Sequence, residues 1–438
     1  MDKIVINGPK ILKGEIISSG SKNAALPILA ATILNPGISE LHNVPHLQDI
    51  KNMIQILEFL GAKCVWKDQH TLIVDASTVN NYIASYEQVR KMRASICVLG
   101  PLVGRFGHAT VSLPGGCIIG PRPIDLHVKG LRELGVKIDV EHGYVKASVD
   151  KLVGGNVFIG GRFGSSVLAT ANIICAAVYA EGVTVIEPAA MEPEVVDLMH
   201  FLKSMGADIQ GEGSSTIVVR GGKPLHDTTY RIITDRIETG TFMIGAAMTG
   251  GHIMIHGGRA DHLRCLIDVL KQTGVKIITH DDGIEVFSNG QLKAIDIVTH
   301  PYPGFPTDLQ AQIMALLTIA QGISVITEKV YTERFMHVSE LNRLGAQIAL
   351  EGSIAIIKGN QKLSGAQVMA SDLRASAALL LAGLVAEGRT EVLRMYHLDR
   401  GYERIDEKLA LLGADIERVT DKPADSDSYL SELGEMRV

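Results

Sequence analysis

A helix-like run of apolar and polar positions, closed by a Gly-Ala or Gly-Val step and followed by a β-rich run, recurs along this chain. It stands at Leu60-Gly61-Ala62, Leu134-Gly135-Val136, Met205-Gly206-Ala207, Thr273-Gly274-Val275, Leu344-Gly345-Ala346 and Leu412-Gly413-Ala414. The steps lie about 70 residues apart. A second series alternates with the first, in which an Ala-rich helix ends at a glycine and gives way to a strand, at Gly37, Gly107, Gly182, Gly251, Gly322 and Gly388. Glycine just past a helix is what the left-handed C′ position favours. Each unit is therefore predicted to hold two helices, each followed by strand. The period is too long for a solenoid, so the pattern predicts one small subdomain repeated six times and grouped three and three into two similar domains. From Thr420 the chain turns polar and loses periodicity, which predicts a mobile tail over residues 420–438.

Fourteen residues before each second-series glycine lie Asn23, Arg93, Leu168, Ile237, Asp308 and Arg374. Four of these are polar or charged, and the other two have Ser165-Ser166 and Asp235-Arg236 beside them. Polar groups thus gather where every Ala-rich helix begins. A helix N-terminus offers unpaired N–H groups and a positive dipole end, and six such ends would line an anion-binding cleft. The alternative is that Ser21, Ser165 and Thr307 are N-caps and the charges sit in water. Basic residues in first turns, as at Lys22, Arg93 and Arg374, oppose the dipole unless an anion is near.

Further arginines occupy turns: Arg122 in Gly120-Pro121-Arg122-Pro123, Arg334 in Glu333-Arg334-Phe335-Met336-His337, and Arg400 in Asp399-Arg400-Gly401-Tyr402. Each alone reads as a surface ion pair, whereas together they suit a substrate pair rich in phosphate and carboxylate. Cys64, Cys97, Cys175 and Cys265 sit in apolar runs and read as core. Cys117 lies instead in Pro114-Gly115-Gly116-Cys117-Ile118-Ile119-Gly120, a setting for an accessible thiol with a tuned pKa or for an incidental loop cysteine.

Composition narrows the class. At 438 residues the chain is long enough for two cores. Its 46% hydrophobic content comes with only 5% aromatics and 45 glycines, which favours α/β over all-β. A net charge of −6 with no dense basic stripe argues against nucleic acid as a partner. The start, Met1-Asp2-Lys3-Ile4-Val5, does not resemble a secretory signal, so a cytoplasmic location is expected. The apolar stretch from Ala375 to Ala386 is shorter than the roughly 20 residues a membrane span needs and reads as a buried helix, so no membrane insertion is expected. Five cysteines without C-x-x-C spacing support neither a disulfide framework nor a zinc site, and the 15 histidines are scattered, so no metal is expected. P-loop, dinucleotide-binding, H-E-x-x-H and G-x-S-x-G patterns are missing from the sequence.

Seven stretches taken together resemble the enolpyruvyl transferase family over about residues 1 to 420. They are Ser19-Gly20-Ser21-Lys22-Asn23-Ala24-Ala25, Met92-Arg93-Ala94-Ser95, Pro114-Gly115-Gly116-Cys117 with Arg122-Pro123-Ile124-Asp125-Leu126-His127, Phe305-Pro306-Thr307-Asp308, Arg334-Phe335-Met336-His337, Asp372-Leu373-Arg374-Ala375-Ser376 and Asp399-Arg400-Gly401-Tyr402-Glu403-Arg404-Ile405. The resemblance implies two domains of three βαβαββ units each, residues 22–233 and residues 1–21 with 234–419, and an active site in the cleft between them. It implies transfer of the enolpyruvyl group of phosphoenolpyruvate to a hydroxyl of UDP-N-acetylglucosamine in peptidoglycan synthesis, without cofactor or metal. It places phosphoenolpyruvate against Lys22, Asn23, Arg122 and Arg400. The nucleotide sugar falls against Asn23, Arg93, the loop of Arg122, Pro123, Ile124, Asp125 and Leu126, and against Asp308 and Val330, with Arg334 and Arg374 completing the anion surface. Asp308 is implied as the base and Cys117 or Lys22 as the acid that protonates the methylene carbon, with the segment Pro114 to Pro121 closing as a lid. One departure stands at Ser166-Val167-Leu168-Ala169-Thr170, where leucine replaces the family's usual glycine. Two other functions share the six-unit design: a shikimate-pathway enolpyruvyl transferase, against which the Pro-Gly-Gly-Cys loop decides, and a paralogue that binds nucleotide sugar without turnover, against which Lys22, Cys117, Asp308 and Arg400 together argue.

Overall fold

All six glycines of the first series close a helix in the same way. In the computed structural model, which describes residues 2–89, 92–113, 124–161 and 164–420, Gly61, Gly135, Gly206, Gly274, Gly345 and Gly413 have φ between 90° and 105°. Each donates its N–H three residues back, as Gly61 does to the Glu58 carbonyl, and the next residue donates five back, as Ala62 does to Leu57. This bond pair is a Schellman cap, and it leaves the chain aimed into a strand. The helices so ended are the outer ones, Gln48–Phe59, Asp125–Glu133, Pro193–Ser204, Arg264–Gln272, Val338–Arg343 and Ile405–Leu411.

The second series is less uniform. Gly107, Gly182, Gly322 and Gly388 take positive φ, but Gly37 and Gly251 do not, and Gly250 is the left-handed cap of its helix. Gly37 and Gly251 meet a different need. A Cβ at Gly37 would lie 2.0 Å from Asp227 Oδ1, and one at Gly251 would lie 2.3 Å from the Leu12 carbonyl.

Among the described residues six four-stranded sheets result, each with one parallel pair followed by two antiparallel pairs. Three of them borrow a strand from a distant part of the chain. Thr228–Arg231 returns to pair with Ile38–His42, Lys13–Ile17 pairs with His252–His256, and Asp2–Gly8 lies between Gly388–Leu393 and Ile416–Thr420. The chain therefore passes twice between its halves, and the two passages run side by side. Ser21 N–H donates to Ile233 O and Asp235 N–H to Ser19 O, each at 2.8 Å.

The Ala-rich helices are mostly apolar and largely buried beneath the sheets, Leu99–Phe106 leaving Gly104, Arg105 and Phe106 half-buried. Lys22–Ala31, Leu99–Phe106 and Val167–Ala177 belong to one hydrophobic core, which runs from Ala24 to Ile232. Arg236–Thr249, Gln310–Ile319 and Leu373–Val385 belong to a second, formed by Ile4 to Ile16 with Ile237 to Leu412. Among the described residues no helix is long and apolar enough to cross a membrane. Tail residues 421–438 lie outside the described residues.

Candidate functional site

The six positions at the starts of the Ala-rich helices fall where those helices begin. Asn23, Leu168, Ile237 and Arg374 are each the second residue of an α-helix, and Asp308 and Arg93 lie in the 3-10 turns Thr307–Leu309 and Arg93–Val98. Ser21, Ser166, Asp235 and Asp372 cap their helices by accepting backbone N–H groups. Two expected caps differ. Ser166, not Ser165, accepts from Ala169 N–H, and the Thr307 hydroxyl donates to Glu328 at 2.9 Å instead of capping. The expected loop through Leu126 is also shorter, because Asp125 and Leu126 open the helix Asp125–Glu133 with Ile124 before it. Leu168 packs partly buried against the first core.

Four cations at these helix starts and turns find carboxylates within the chain. Lys22 Nζ lies 3.3 Å from Asp49 Oδ2, and Arg400 Nε donates to the other oxygen, Asp49 Oδ1, at 3.0 Å. Arg374 Nη2 donates to Asp308 Oδ2 at 3.0 Å. The first-turn cations Lys22 and Arg374 are thus offset by internal anions, which answers the dipole argument without requiring a ligand. Arg334 Nη1 adds a second donor to Asp308, at 2.8 Å on Oδ1.

Burial is uneven across this group. The Arg334 and Arg374 side chains are 6% and 3% exposed, while Asp308 keeps 28% and so opens toward solvent. Burial alone raises the Asp308 carboxyl, but the charges of Arg374 and Arg334 and their hydrogen bonds outweigh it and hold the group well below the usual carboxylate range. Burial lowers Lys22, and Arg374 and Arg400 lower it further, against the opposing charges of Asp49 and Asp308. Asp308, Arg374 and Arg400 therefore all act on one lysine, although Lys22 comes from the first core and the other three from the second.

Residues outside the expected set hold these groups in place. Tyr402, 2% exposed, lies under the Arg374 guanidinium at 5.3 Å, and its hydroxyl meets Thr241 at 2.9 Å and Gln312 Nε2 at 3.1 Å. Gln312 Nε2 also donates to the Asp308 carbonyl at 3.0 Å. Glu328, fully buried, accepts from Thr299 and Thr307 hydroxyls and from the Val330 and Tyr331 N–H groups, which ties the Val330 turn to the Asp308 turn. Asp49, Gln312 and Glu328 carry no signal in the sequence, because each is an ordinary residue of an outer helix, an inner helix or a strand end until the fold brings it beside these groups.

Cys117, Arg122 and Pro123 lie outside the described residues, as does the side chain of Arg93. Three other thiols are held in the protonated form: burial pushes Cys64 up to about 12 and raises Cys175 and Cys265. Among the described residues no three His, Cys, Asp or Glu side chains come together to hold a metal ion.

Residues 6–409 match the family model described as EPSP synthase (3-phosphoshikimate 1-carboxyvinyltransferase). The chain is 54% identical over 422 residues to UDP-N-acetylglucosamine 1-carboxyvinyltransferase of Methylacidiphilum infernorum, covering 96% of this chain and 100% of that protein. It is 52% identical over 423 residues to UDP-N-acetylglucosamine 1-carboxyvinyltransferase 2 of Carboxydothermus hydrogenoformans, again covering 96% and 100%. Among solved structures, the enolpyruvyl transferase NikO from Streptomyces tendae superposes with a TM-score of 0.87 at 25% identity, over 96% of this chain and 99% of that one. EPSP synthase from Acinetobacter baumannii gives 0.76 at 19% identity, over 96% and 100%, a likeness of fold alone.

Proposed function

Because this chain belongs to the family of enolpyruvyl (1-carboxyvinyl) transferases, we propose that it transfers the enolpyruvyl group of phosphoenolpyruvate to the 3-hydroxyl of UDP-N-acetylglucosamine, releasing phosphate, in peptidoglycan synthesis. The observation that carries the choice of acceptor is the identity of 54% and 52%, over 96% of the chain, with proteins named for that nucleotide sugar. The shikimate acceptor is named by the family model and by structures 19% identical, a likeness of fold alone. On this reading the active site lies between a domain of residues 22–233 and one of residues 1–21 with 234–419, and the chain works in the cytoplasm.

In the proposed reaction the sugar hydroxyl attacks C2 of phosphoenolpyruvate and passes its proton to Asp308, while C3 gains a proton from Cys117 or Lys22. The tetrahedral ketal then loses a proton from C3 and expels phosphate, which restores the double bond. Lys22, Asn23, Arg122 and Arg400 hold phosphoenolpyruvate. Asn23, Arg93, Arg122, Pro123, Ile124, Asp125, Leu126, Asp308 and Val330 hold the nucleotide sugar, with Arg334 and Arg374 supporting. In favour of these roles, Lys22 and Arg400 converge on one carboxylate, and Arg334 and Arg374 on another that remains 28% exposed. Mass spectrometry of a reaction with both substrates tests the proposal. The expected product is the nucleotide sugar carrying one enolpyruvyl ether for each phosphate released, and recovery of unaltered sugar at full enzyme turnover time would overturn it.

A further inference from the structure

Asp49 is the second residue of the helix Gln48–Phe59, an outer helix of the first core, and is 2% exposed. Its two carboxylate oxygens are divided between two cations, Lys22 on Oδ2 and Arg400 on Oδ1. Among the described residues it is the only carboxylate that ion-pairs with either of them. The two cations come from opposite cores, Lys22 from the helix Lys22–Ala31 and Arg400 from the 3-10 turn Met395–Arg400. One turn further on, Glu403 Oε1 accepts the His46 N–H at 3.1 Å, so residues 46–49 and 400–403 are joined at two points. A buried carboxylate is costly to leave short of cations, so the arrangement favours holding Lys22 and Arg400 side by side on Asp49.

We propose that Asp49 is a positioning residue for phosphoenolpyruvate, its carboxylate tying Lys22 to Arg400 across the cleft so that both cations face one substrate anion. The inference rests on the reading of Lys22 and Arg400 as the phosphoenolpyruvate cations. Asp49 also sets the charge of the lysine. Around Lys22 stand Asp49 and Asp308, which favour its proton, and Arg374 and Arg400, which together with burial disfavour it. Its backbone N–H, not its ammonium, faces Asp235 Oδ2 at 3.4 Å. A lysine that must be charged to hold the substrate does so only below its pKa. Loss of the Asp49 charge therefore moves the alkaline limb of substrate capture to lower pH.

Steady-state phosphate release by the full chain tests this with Asp49→Asn, Asp49→Glu, Lys22→Gln and Arg400→Gln. Asp49→Asn is expected to raise KM for phosphoenolpyruvate about tenfold or more, to leave KM for the nucleotide sugar within about twofold, and to lower the alkaline limb of kcat/KM by about one pH unit. Asp49→Glu, which keeps the charge on a longer arm, is expected to raise the phosphoenolpyruvate KM with the alkaline limb unmoved, a split that general loss of structure does not produce. A wild-type phosphoenolpyruvate KM in both Asp49 variants overturns the inference. If Lys22→Gln and Arg400→Gln raise that KM while both Asp49 variants do not, Asp49 alone has been misassigned. If those two also leave it unchanged, the site reading falls and the inference with it. Should Asp49→Asn fail to fold, Asp49→Glu decides by the same KM and limb.

Discussion

Arg374 Nη2 reaches Asp308 Oδ2 at 3.0 Å from a side chain that is only 3% exposed. With Arg334 on the other oxygen, both oxygens of Asp308 are occupied and its carboxyl is held well below the usual range. Such a carboxylate is a weak base, so the proposed role of Asp308 as base requires substrate anions to draw charge from the two arginines. Asp308→Asn is expected to lower kcat by about 10²–10⁴-fold while nucleotide-sugar binding, measured by calorimetry, persists. Because the folded carboxyl is depressed, the ionised form is lost only as pH falls below the ordinary carboxylate range. The acid limb of kcat/KM is therefore not set by Asp308 near neutrality. Undiminished turnover in the variant contradicts its role.

Asp197 makes the opposite prediction, for stability. It is 2% exposed, accepts the Tyr230 hydroxyl at 2.6 Å, and burial raises its pKa from 3.8 to about 6. The folded state thus binds a proton that the unfolded state has released. Its contribution is fully present below the unfolded value and is lost as pH rises through about 6, amounting to roughly 3 kcal/mol. Thermal unfolding of wild type and Asp197→Asn across that window is expected to show wild type losing stability relative to the variant as pH rises. Parallel curves contradict this.

Gly100 tests the packing of the inner helices. A Cβ there would lie 2.2 Å from the Asn172 carbonyl oxygen, backbone that cannot rotate aside. Asn172 is also committed, accepting Gly100 N–H at 2.7 Å and donating to the Ile96 carbonyl at 3.0 Å. Gly100→Ala is expected to cost about 1–3 kcal/mol or more in denaturant unfolding, as overpacked cores do. An unchanged midpoint contradicts the close approach of Leu99–Phe106 to Val167–Ala177.

The fold was legible because its repeat is written in one residue type at one position. A left-handed C′ needs glycine, so six Schellman caps leave six glycines in register. Gly37 and Gly251 look the same in the sequence but answer to close approach, and a missing Cβ serves both needs alike. The helix starts were legible for a similar reason, yet their cations suggested an external anion where the chain supplies Asp49 and Asp308 itself. Asp49 was hidden because its partners lie 27 and 351 residues away and meet only through the pairing of the two halves. Gln312 was hidden in the same way, since it meets Tyr402 90 residues on.

The most direct measurement is phosphate release from phosphoenolpyruvate with UDP-N-acetylglucosamine or shikimate 3-phosphate as acceptor, repeated after exposure to fosfomycin, an epoxide that alkylates thiols. Release that requires the nucleotide sugar, and that stops when one adduct forms on Cys117, is the expected result. Release supported by shikimate 3-phosphate instead, or by neither acceptor, would contradict it.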